Sequence, residues 1–424
     1  MRVWDALPAG AQDASLIGLG LLPLVLVSLA LVPGHRPLSL VTALLRRHWG
    51  ISAILVTLVA VSVAVGTGLL AAERAVRAAS ARAADLFDVV IAAPGSETTV
   101  LLAAVFLQPA DMGLLSGDAI AEIMADPRAG LAAPLGFGDS VGGAPVIGTT
   151  ADLVAHIAPA LEGRIWEAPF EAIVGAALPY GIGDQLEPAH GHGEAVEGEH
   201  DMDLTVVARM PHTGTPWDGA VLIPIEAVWQ IHGLAAGHPP DSPALGPPFD
   251  PAFTPGAPAV LVRAAGIGPA YSLRAEWQRD GEAMAILPGA TLAQLFRVMG
   301  DVREAMSLMA LVSLGLVAAA VLCGLALVAR LFRPQIALLA ALGAPARFTA
   351  AVLWLHAVAH LLAGAALGLL LGWAGAGLLS RAALARTGLD VTTRIGVPEL
   401  VTLSAFLGLA ALATLPLALQ GRRA

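Results

Sequence analysis

Residues Ile51–Ala72 read ISAILVTLVAVSVAVGTGLLAA, 22 consecutive residues without a charge, and this run decides what kind of chain this is. A helix needs about 20 predominantly apolar residues to cross the hydrocarbon core of a bilayer. The residues that follow, Glu73–Ala84 (ERAVRAASARAA), bring Glu73, Arg74, Arg77 and Arg82 but no Gly or Pro. The expected structure is a spanning helix that continues out of the membrane as a polar stalk over Ala71–Leu86. Outward from this run, four more stretches lack Asp, Glu and Arg: Ser15–Pro33, Ala305–Ala329, Phe348–Ser380 and Leu400–Gln420. About five transmembrane helices are therefore expected. Phe348–Ser380 is long for one span, so its ends are expected in the interface or in a short following helix. Trp49, Trp354 and Trp373 fall near expected ends, as interfacial anchors do.

Ser15–Pro33 also has the length of a signal-peptide core. It follows one Arg (Arg2) against Asp5 and Asp13, and no small-x-small cleavage site lies at Val32–His35. A retained helix is the expectation.

Composition agrees with a polytopic membrane protein. Of 424 residues, 57% are hydrophobic and 13% charged, and the mean hydropathy is +0.75. A soluble domain is about 25% charged. The one cysteine, Cys323, excludes a disulfide framework and a Cys-based zinc cluster. All 23 basic residues are Arg. Without lysine there is no G-x-x-x-x-G-K-[ST] loop, whose lysine reaches the β/γ-phosphates. ATP hydrolysis through a P-loop is therefore excluded for this chain, and no enzyme is expected in it.

Charge divides the chain. The block Glu73–Glu304 holds 29 of the 33 acidic residues and 11 of the 23 Arg, a net −18, while the remainder carries +8. Arg36, Arg46 and Arg47, then Arg330, Arg333 and Arg347, then Arg422 and Arg423 occupy three short acid-free segments. Five spans put all three on one side, which the positive-inside tendency makes the cytoplasm. Arg381, Arg386 and Arg394, accompanied by Asp390 and Glu399, are a partial counter-signal. The expected order is an N-terminal helix and basic linker over 1–50, a span over 51–72, an extracytoplasmic α+β domain over 73–304, and three spans over 305–424. The last part encloses a cytoplasmic loop, 330–347, and leaves the C-terminus cytoplasmic. So acidic an outer block also argues against nucleic-acid binding.

Within that block the pattern mixes α and β. Strands are expected at Phe87–Ala93, Ala172–Ala177, Leu204–Ala208, Ala220–Ile223 and Ala259–Val262. Helices are expected at Ser116–Ala125, with Ser116 as N-cap, and at Ile225–His232. Thr291–Arg303 places Leu292, Leu295, Phe296, Met299 and Val302 on one stripe, a second stalk helix. Gly233–Ala257, rich in Pro and Gly, reads as a loop or lobe boundary.

Several segments carry a family resemblance. Phe87-Asp88-Val89-Val90-Ile91-Ala92-Ala93-Pro94-Gly95-Ser96 resembles the first strand of a MacB-type periplasmic domain. Glu171-Ala172-Ile173-Val174-Gly175-Ala176-Ala177, followed by Gly183-Asp184, is similar to that domain's V-V-G-x-x-L…G-D stretch. Gln335-Ile336-Ala337-Leu338-Leu339-Ala340-Ala341-Leu342-Gly343-Ala344 resembles the family's E-I-A-L-L-R-A-L-G-A coupling segment. Together with the order of spans, Leu38–Leu419 resembles the FtsX/MacB-like permeases of ABC transporters. Pro211-His212-Thr213-Gly214-Thr215-Pro216-Trp217-Asp218, after a His-rich loop, is similar to a subgroup of these permeases linked to zinc-responsive operons. Pro334-Gln335 stands where the family has Arg-Glu, and the Ser15–Pro33 span is additional to the usual four.

The resemblance implies a transmembrane permease in a bacterial inner membrane, with a large MacB-like α+β domain outside. It implies a homodimer served by a separate cytoplasmic ABC ATP-binding subunit, and in some relatives an extracytoplasmic protein partner. The coupling residues it implies are Arg333, Gln335, Leu339, Leu342, Gly343 and Arg347. Two readings from other classes stand beside it: an extracytoplasmic metal-binding or sensing membrane protein, and a regulatory scaffold without a transported substrate.

The most chemical segment is His190-Gly-His192-Gly-Glu194-Ala-Val-Glu197-Gly-Glu199-His200-Asp201-Met-Asp203. Imidazoles and carboxylates in a flexible tract suit zinc, with His190, His192 and His200 as ligands; the competing reading is a solvated acidic hairpin tip. His212, His232 and His238 are further candidate donors. His356 and His360 share one helix face inside an apolar span, where ionisable residues are often functional. Ala357 excludes the H-E-x-x-H zinc motif, and neutral histidines packed between helices are the simpler account. Asp111, Asp118, Glu122 and Asp126 read as a solvated face. Gly66-Thr67-Gly68 and Gly364–Gly377 read as helix-packing positions.

Overall fold

The computed structural model describes residues 7–34, 36–108, 110–190, 197–199, 203–242, 244–278, 281–298, 333–387 and 393–420, with scattered positions between 300 and 330. The chain forms two compact units. One comprises Met1–Ala75, Val302–Ser380 and Thr392–Ala424, the other Val76–Asp301 and Arg381–Val391.

The first unit is helical. Its elements are α1 (Ala9–Leu31), the short α2 (Leu38–Arg47), the greater part of α3 (Trp49–Ala84), α10 (Arg333–Ala341), α11 (Ala346–Thr387) and α12 (Val397–Gln420). Among the described residues, four helices are long and apolar enough to cross a membrane: α1, α3, α11 and α12. The expected span at Ala305–Ala329 lies almost wholly outside the described residues. Phe348–Ser380 is not a span followed by a separate short helix. It lies inside one 42-residue helix, because Arg381–Thr387 (RAALART) continues with helix-forming residues and nothing between Ala346 and Thr387 is a proline.

Without a hydrophobic force between helices in lipid, close packing must hold them together, and small residues allow it. Gly364, Gly368 and Gly372 recur every four residues along α11 and face α3. A Cβ on them would come within 2.5, 2.6 and 2.6 Å of Val59, Ala60 or Thr67 atoms respectively. Gly66, Gly375 and Gly377 have open space, so only part of the expected glycine set makes contact. Helix α1 packs against α12 through a second close approach. A Cβ on Gly408 would fall 2.0 Å from the Gly20 carbonyl oxygen, and one on Gly20 2.3 Å from Ser404 Oγ. Trp354 Nε1, buried on α11, donates to Ser28 Oγ of α1 at 3.0 Å.

The second unit is built on one mixed sheet with helices on its faces. In chain order it contains the end of α3, β1 (Val89–Ala92), α4 (Glu97–Ala104), α5 (Gly117–Ala125), β2 (Ala129–Val141), β3 (Ala144–Thr149), α6 (Ala151–Ile157), β4 (Glu162–Gly163) and β5 (Glu171–Val174). There follow β6 (Gln185–Leu186), β7 (Ala189–His190), β8 (Glu197–Glu199), β9 (Leu204–Arg209), β10 (Val221–Pro224), α7 (Ile225–Ile231), β11 (Ala259–Ala264), α8 (Ile267–Trp277), β12 (Met284–Ile286) and a helix α9 over 288–298. The main strand order is β12-β1-β11-β2-β3-β10-β5-β9-β4.

The 13-residue β2 joins two lobes. Its first half pairs antiparallel with β11 and its second half with β3 and β7. Side chains alternate between the two sheet faces. Val90 and Ala92 therefore enter a core shared by both lobes, with Leu261, Leu222 and Ala208. Val89 and Ile91 face a second core with Val260, Val262 and Trp277. On that opposite face the other lobe has its own core of Val174, Val206, Val221 and Ile223.

All five expected strands are present, with ends shifted by a few residues, and so are both expected helices. Ser116 caps α5 as its sequence suggests, its Oγ accepting from Ala119 N at 3.2 Å. The second stalk helix begins within α9, where Leu292 is buried in the shared core and Phe296 packs against it. Met299 and 301–303 of that stripe lie outside the described residues. The guanidinium of Arg77 lies 4.8 Å over the Phe296 ring, so the two stalk helices meet.

Candidate functional site

The segment 333–347 forms a short helix, α10, closed at Gly343. Leu342 N bonds back to Leu338 O at 3.0 Å and Ala344 N to Leu339 O at 2.9 Å. Gly343 has φ +89°, a left-handed position that ends helices and favours glycine. Of the expected coupling residues, Gln335 is exposed and Leu339 is half-buried, and Leu342 is 77% exposed. Leu338, one turn before Leu342, is 62% exposed. Arg333 begins the helix. Arg347 anchors the far end, donating from Nε to the Ala30 carbonyl at 3.0 Å, with Nη2 on the same oxygen. The helix therefore presents two leucines on adjacent turns, followed by the left-handed Gly343 and the anchored Arg347.

A second site lies where α12 begins. Val397, Pro398 and Glu399 form its first turn, and Gly396 N donates back to Glu399 Oε2 at 2.7 Å, one half of a capping box. Glu399 is 1% exposed and pairs with Arg74 of α3, whose Nη2 lies 3.1 Å from Oε2. The same Nη2 donates to the Arg394 carbonyl at 2.5 Å. A carboxylate this deep needs a cation and hydrogen bonds to offset its lost hydration, and α3 supplies the cation just past its apolar run. Sequence reasoning weighed Glu399 only as a charge count; the legible signal was Gly-Val-Pro-Glu immediately before an uncharged run, a helix start.

In the sheet domain the segment 211–218 is a turn wrapped around a buried carboxylate. Asp218 Oδ1 accepts from Thr213 N at 2.8 Å and Thr213 Oγ1 at 2.7 Å. Its Oδ2 accepts from Gly214 N at 2.8 Å and lies 2.9 Å from His212 Nδ1. Trp217 is fully buried, edge-on to Phe87 with centroids 6.2 Å apart. Gly175, at the end of β5, backs onto this turn; a Cβ there would meet Asp218 O at 2.3 Å. The V-G of that stretch is thus a packing requirement.

At the start of β5, Glu171 accepts from Arg164 at 2.5 and 2.7 Å and from Glu167 N at 2.6 Å. The Arg164 hydrogen bonds lead in pushing its carboxyl down to about 2. A lowered carboxylate adds stability above its ordinary pKa, near 4.3, which is lost as pH falls through the folded value. The domain's resistance to thermal unfolding should therefore fall as pH drops from about 4.3 to 2, and Glu171→Gln should flatten that part of the profile. A variant with the parent's slope would remove this assignment.

The histidines do not assemble. His190 sits in β7, its Cα paired with those of Asp139 and Glu197, while His192 and His200 lie outside the described residues. His212 is held by Asp218, and His232 Nδ1 contacts its own helix carbonyl at Val228, 2.7 Å away. His238 packs on Phe249 with Nε2 3.7 Å from Glu226 Oε1; burial pushes the Glu226 carboxyl up. Among the described residues, no group of three or more His, Cys, Asp or Glu is placed to hold a metal ion. His356 and His360 are buried with rings 4.5 Å apart, and His360 Nδ1 is 2.6 Å from the His356 carbonyl.

No family model matches the chain, and no curated protein matches it. Among solved structures it is similar to the extracellular domain of the noncanonic ABC-type transporter YknZ from Gram-positive bacteria. The identity is 9% and the TM-score 0.28, covering 47% of this chain and 98% of that domain. The structure itself defines a class: a polytopic membrane protein carrying a large mixed α/β sheet domain.

Proposed function

We propose that this chain is the membrane subunit of an FtsX/MacB-type ABC transporter, coupling a separate cytoplasmic ATPase to movement of an extracytoplasmic domain. The observation that carries the reading is α10. It is a short helix in the segment that resembles the family's coupling segment, with Leu338 and Leu342 exposed among the described residues. Two apolar side chains at i and i+4 are what a helix lays into a partner's groove. The absence of lysine supports an ATPase on another chain.

Rigid elements give the coupling a route. A push on α10 reaches α11, one continuous 42-residue helix beginning three residues past Gly343. α11 is seated on α3 through Gly364, Gly368 and Gly372 with no slack. α3 is itself unbroken from Trp49 to Ala84, about 54 Å at 1.5 Å per residue, and it delivers Phe87 and β1 into the domain core. In this reading the chain is inserted in a bacterial inner membrane with its C-terminus cytoplasmic, and two copies form the permease. The test is recovery of a P-loop ATPase with the tagged chain and its loss in a Leu338→Asp, Leu342→Asp variant.

A further inference from the structure

The loop over 238–249 in the sheet domain is tied at its neck. Gly237 N donates to the Phe253 carbonyl at 2.9 Å, and Asp250 N to the Gly237 carbonyl at 2.8 Å, which closes the loop on itself. Pro239, Pro240, Pro247 and Pro248 are exposed on its outside. Inward, Leu245 packs against the shared core, and Phe249 meets Trp229 of α7 edge-on with centroids 5.5 Å apart. Among the described residues of 238–249, Gly246 N is the one backbone group bonded to the body of the domain. Its acceptor is Glu226 Oε1 of α7.

That carboxylate is 3% exposed, and the loop brings a second group to it. His238 Nε2, on a side chain 10% exposed, lies 3.7 Å from the same oxygen. This is too long for a hydrogen bond, and Nε2 has no other partner among the described residues. Buried polar atoms without partners are rare and costly. One added proton changes this. An imidazolium facing a carboxylate, or a carboxylic acid facing an imidazole, gives a donor and an acceptor and draws the two within bonding distance.

The other ionisable groups of the packed elements are turned elsewhere. On α7, His232 Nδ1 contacts the Val228 carbonyl. On the loop and its neck, Asp241 is exposed and Asp250 Oδ1 accepts from Ala252 N. On α5, which packs on 251–253, Asp118 and Glu122 are exposed. Beneath α7, Asp139 of β2 stands in register with His190, and β3 and β10 carry no charge. Among the described residues, His238 alone acts on Glu226 by its charge.

We propose that the loop over 238–249 is a proton-gated flap, held shut over Trp229 while Glu226 and His238 share a proton and released when they lose it. Burial pushes the Glu226 carboxyl up, so the closed loop binds more protons than the open one, where the group returns toward its ordinary value near 4.3. Closure is therefore favoured at acid pH and lost as pH rises through the raised value. Nothing in this device involves the helical unit, so it stands or falls separately from the ATPase reading.

The test is hydrogen exchange of the full chain in detergent, read by mass over 238–249 and corrected for the intrinsic effect of pH. Corrected exchange should be about tenfold faster at about pH 8 than at about pH 5.5, the linkage of one proton over one pH unit. Exchange in β1 should be the same at both. Glu226→Gln keeps an acceptor for Gly246 N and carries no charge, so its loop should stay as slow at both values as the parent's at the lower. Equal corrected exchange of the parent loop at the two values, or loosening only together with β1, would overturn the proposal. So would a Glu226→Gln loop that keeps the pH dependence or is open throughout.

Discussion

Asp218→Ala is expected to cost the sheet domain about 3–5 kcal/mol, since each buried group left without its partner costs about 1–3 kcal/mol. The variant strands the backbone N–H groups of Thr213 and Gly214 together, removes the acceptor for Thr213 Oγ1 and releases His212. Gly214 has φ +71°, so the turn holds a conformation that the carboxylate stabilises from within. The loss should reach Gly175 and Trp217, which pack directly on the turn. Denaturant unfolding of the purified chain measures it. Asp218→Asn, which keeps an acceptor for Thr213, should fall between parent and alanine. An alanine variant as stable as the parent would mean the turn is organised by something other than this carboxylate.

Gly408→Val should have the second large effect, on the helical unit. A first side-chain carbon there meets a backbone oxygen, Gly20 O, at 2.0 Å, and neither rotamer change nor side-chain movement can relieve a clash with main chain. α1 and α12 must separate, with an expected cost of about 3 kcal/mol, the upper range for overpacking. The readout is the melting temperature in detergent. Gly375→Val, at a glycine of α11 with open space, should leave it unchanged. Equal behaviour of the two variants would show that α1 is not seated on α12.

The apolar runs were legible because length and lack of charge are local properties. α3, α11 and α12 contain the stretches read from the sequence, and α1 contains its stretch except Val32 and Pro33. β1 and β11 were legible for a related reason: strands buried on both faces are continuous apolar runs, as in Val89–Ala92 and Ala259–Val262. β2 was not. Its sequence AGLAAPLGFGDSV contains three Gly and one Pro, which argue against a strand locally. Gly136 of β2, like Gly148 of the neighbouring β3, admits Val228 and Ile225 of α7, a demand set by a helix some 80 residues away. α8 was hidden by Gly268 and Pro269 in its first turn, where proline is tolerated.

The sites divide the same way. The helix-breaking Gly343 and the leucines before it could be read from one segment. The Arg74–Glu399 pair could not, because its partners are 325 positions apart and pairing across the chain leaves no mark in one sequence. For the histidines, type and spacing pointed to metal, but His212, His232 and His238 each answer to a different neighbour. Residue type gave donors without giving convergence.

Docking of an ATPase on α10 is read out by co-purification. The tagged full chain is extracted from its native membranes with a non-hydrolysable ATP analogue, and what remains bound is identified. A P-loop ATPase should be retained by the parent and lost from the Leu338→Asp, Leu342→Asp variant, whose melting temperature should match the parent because both side chains are already exposed. Absence of any P-loop ATPase from the parent, or its full retention by the variant, would contradict the claim.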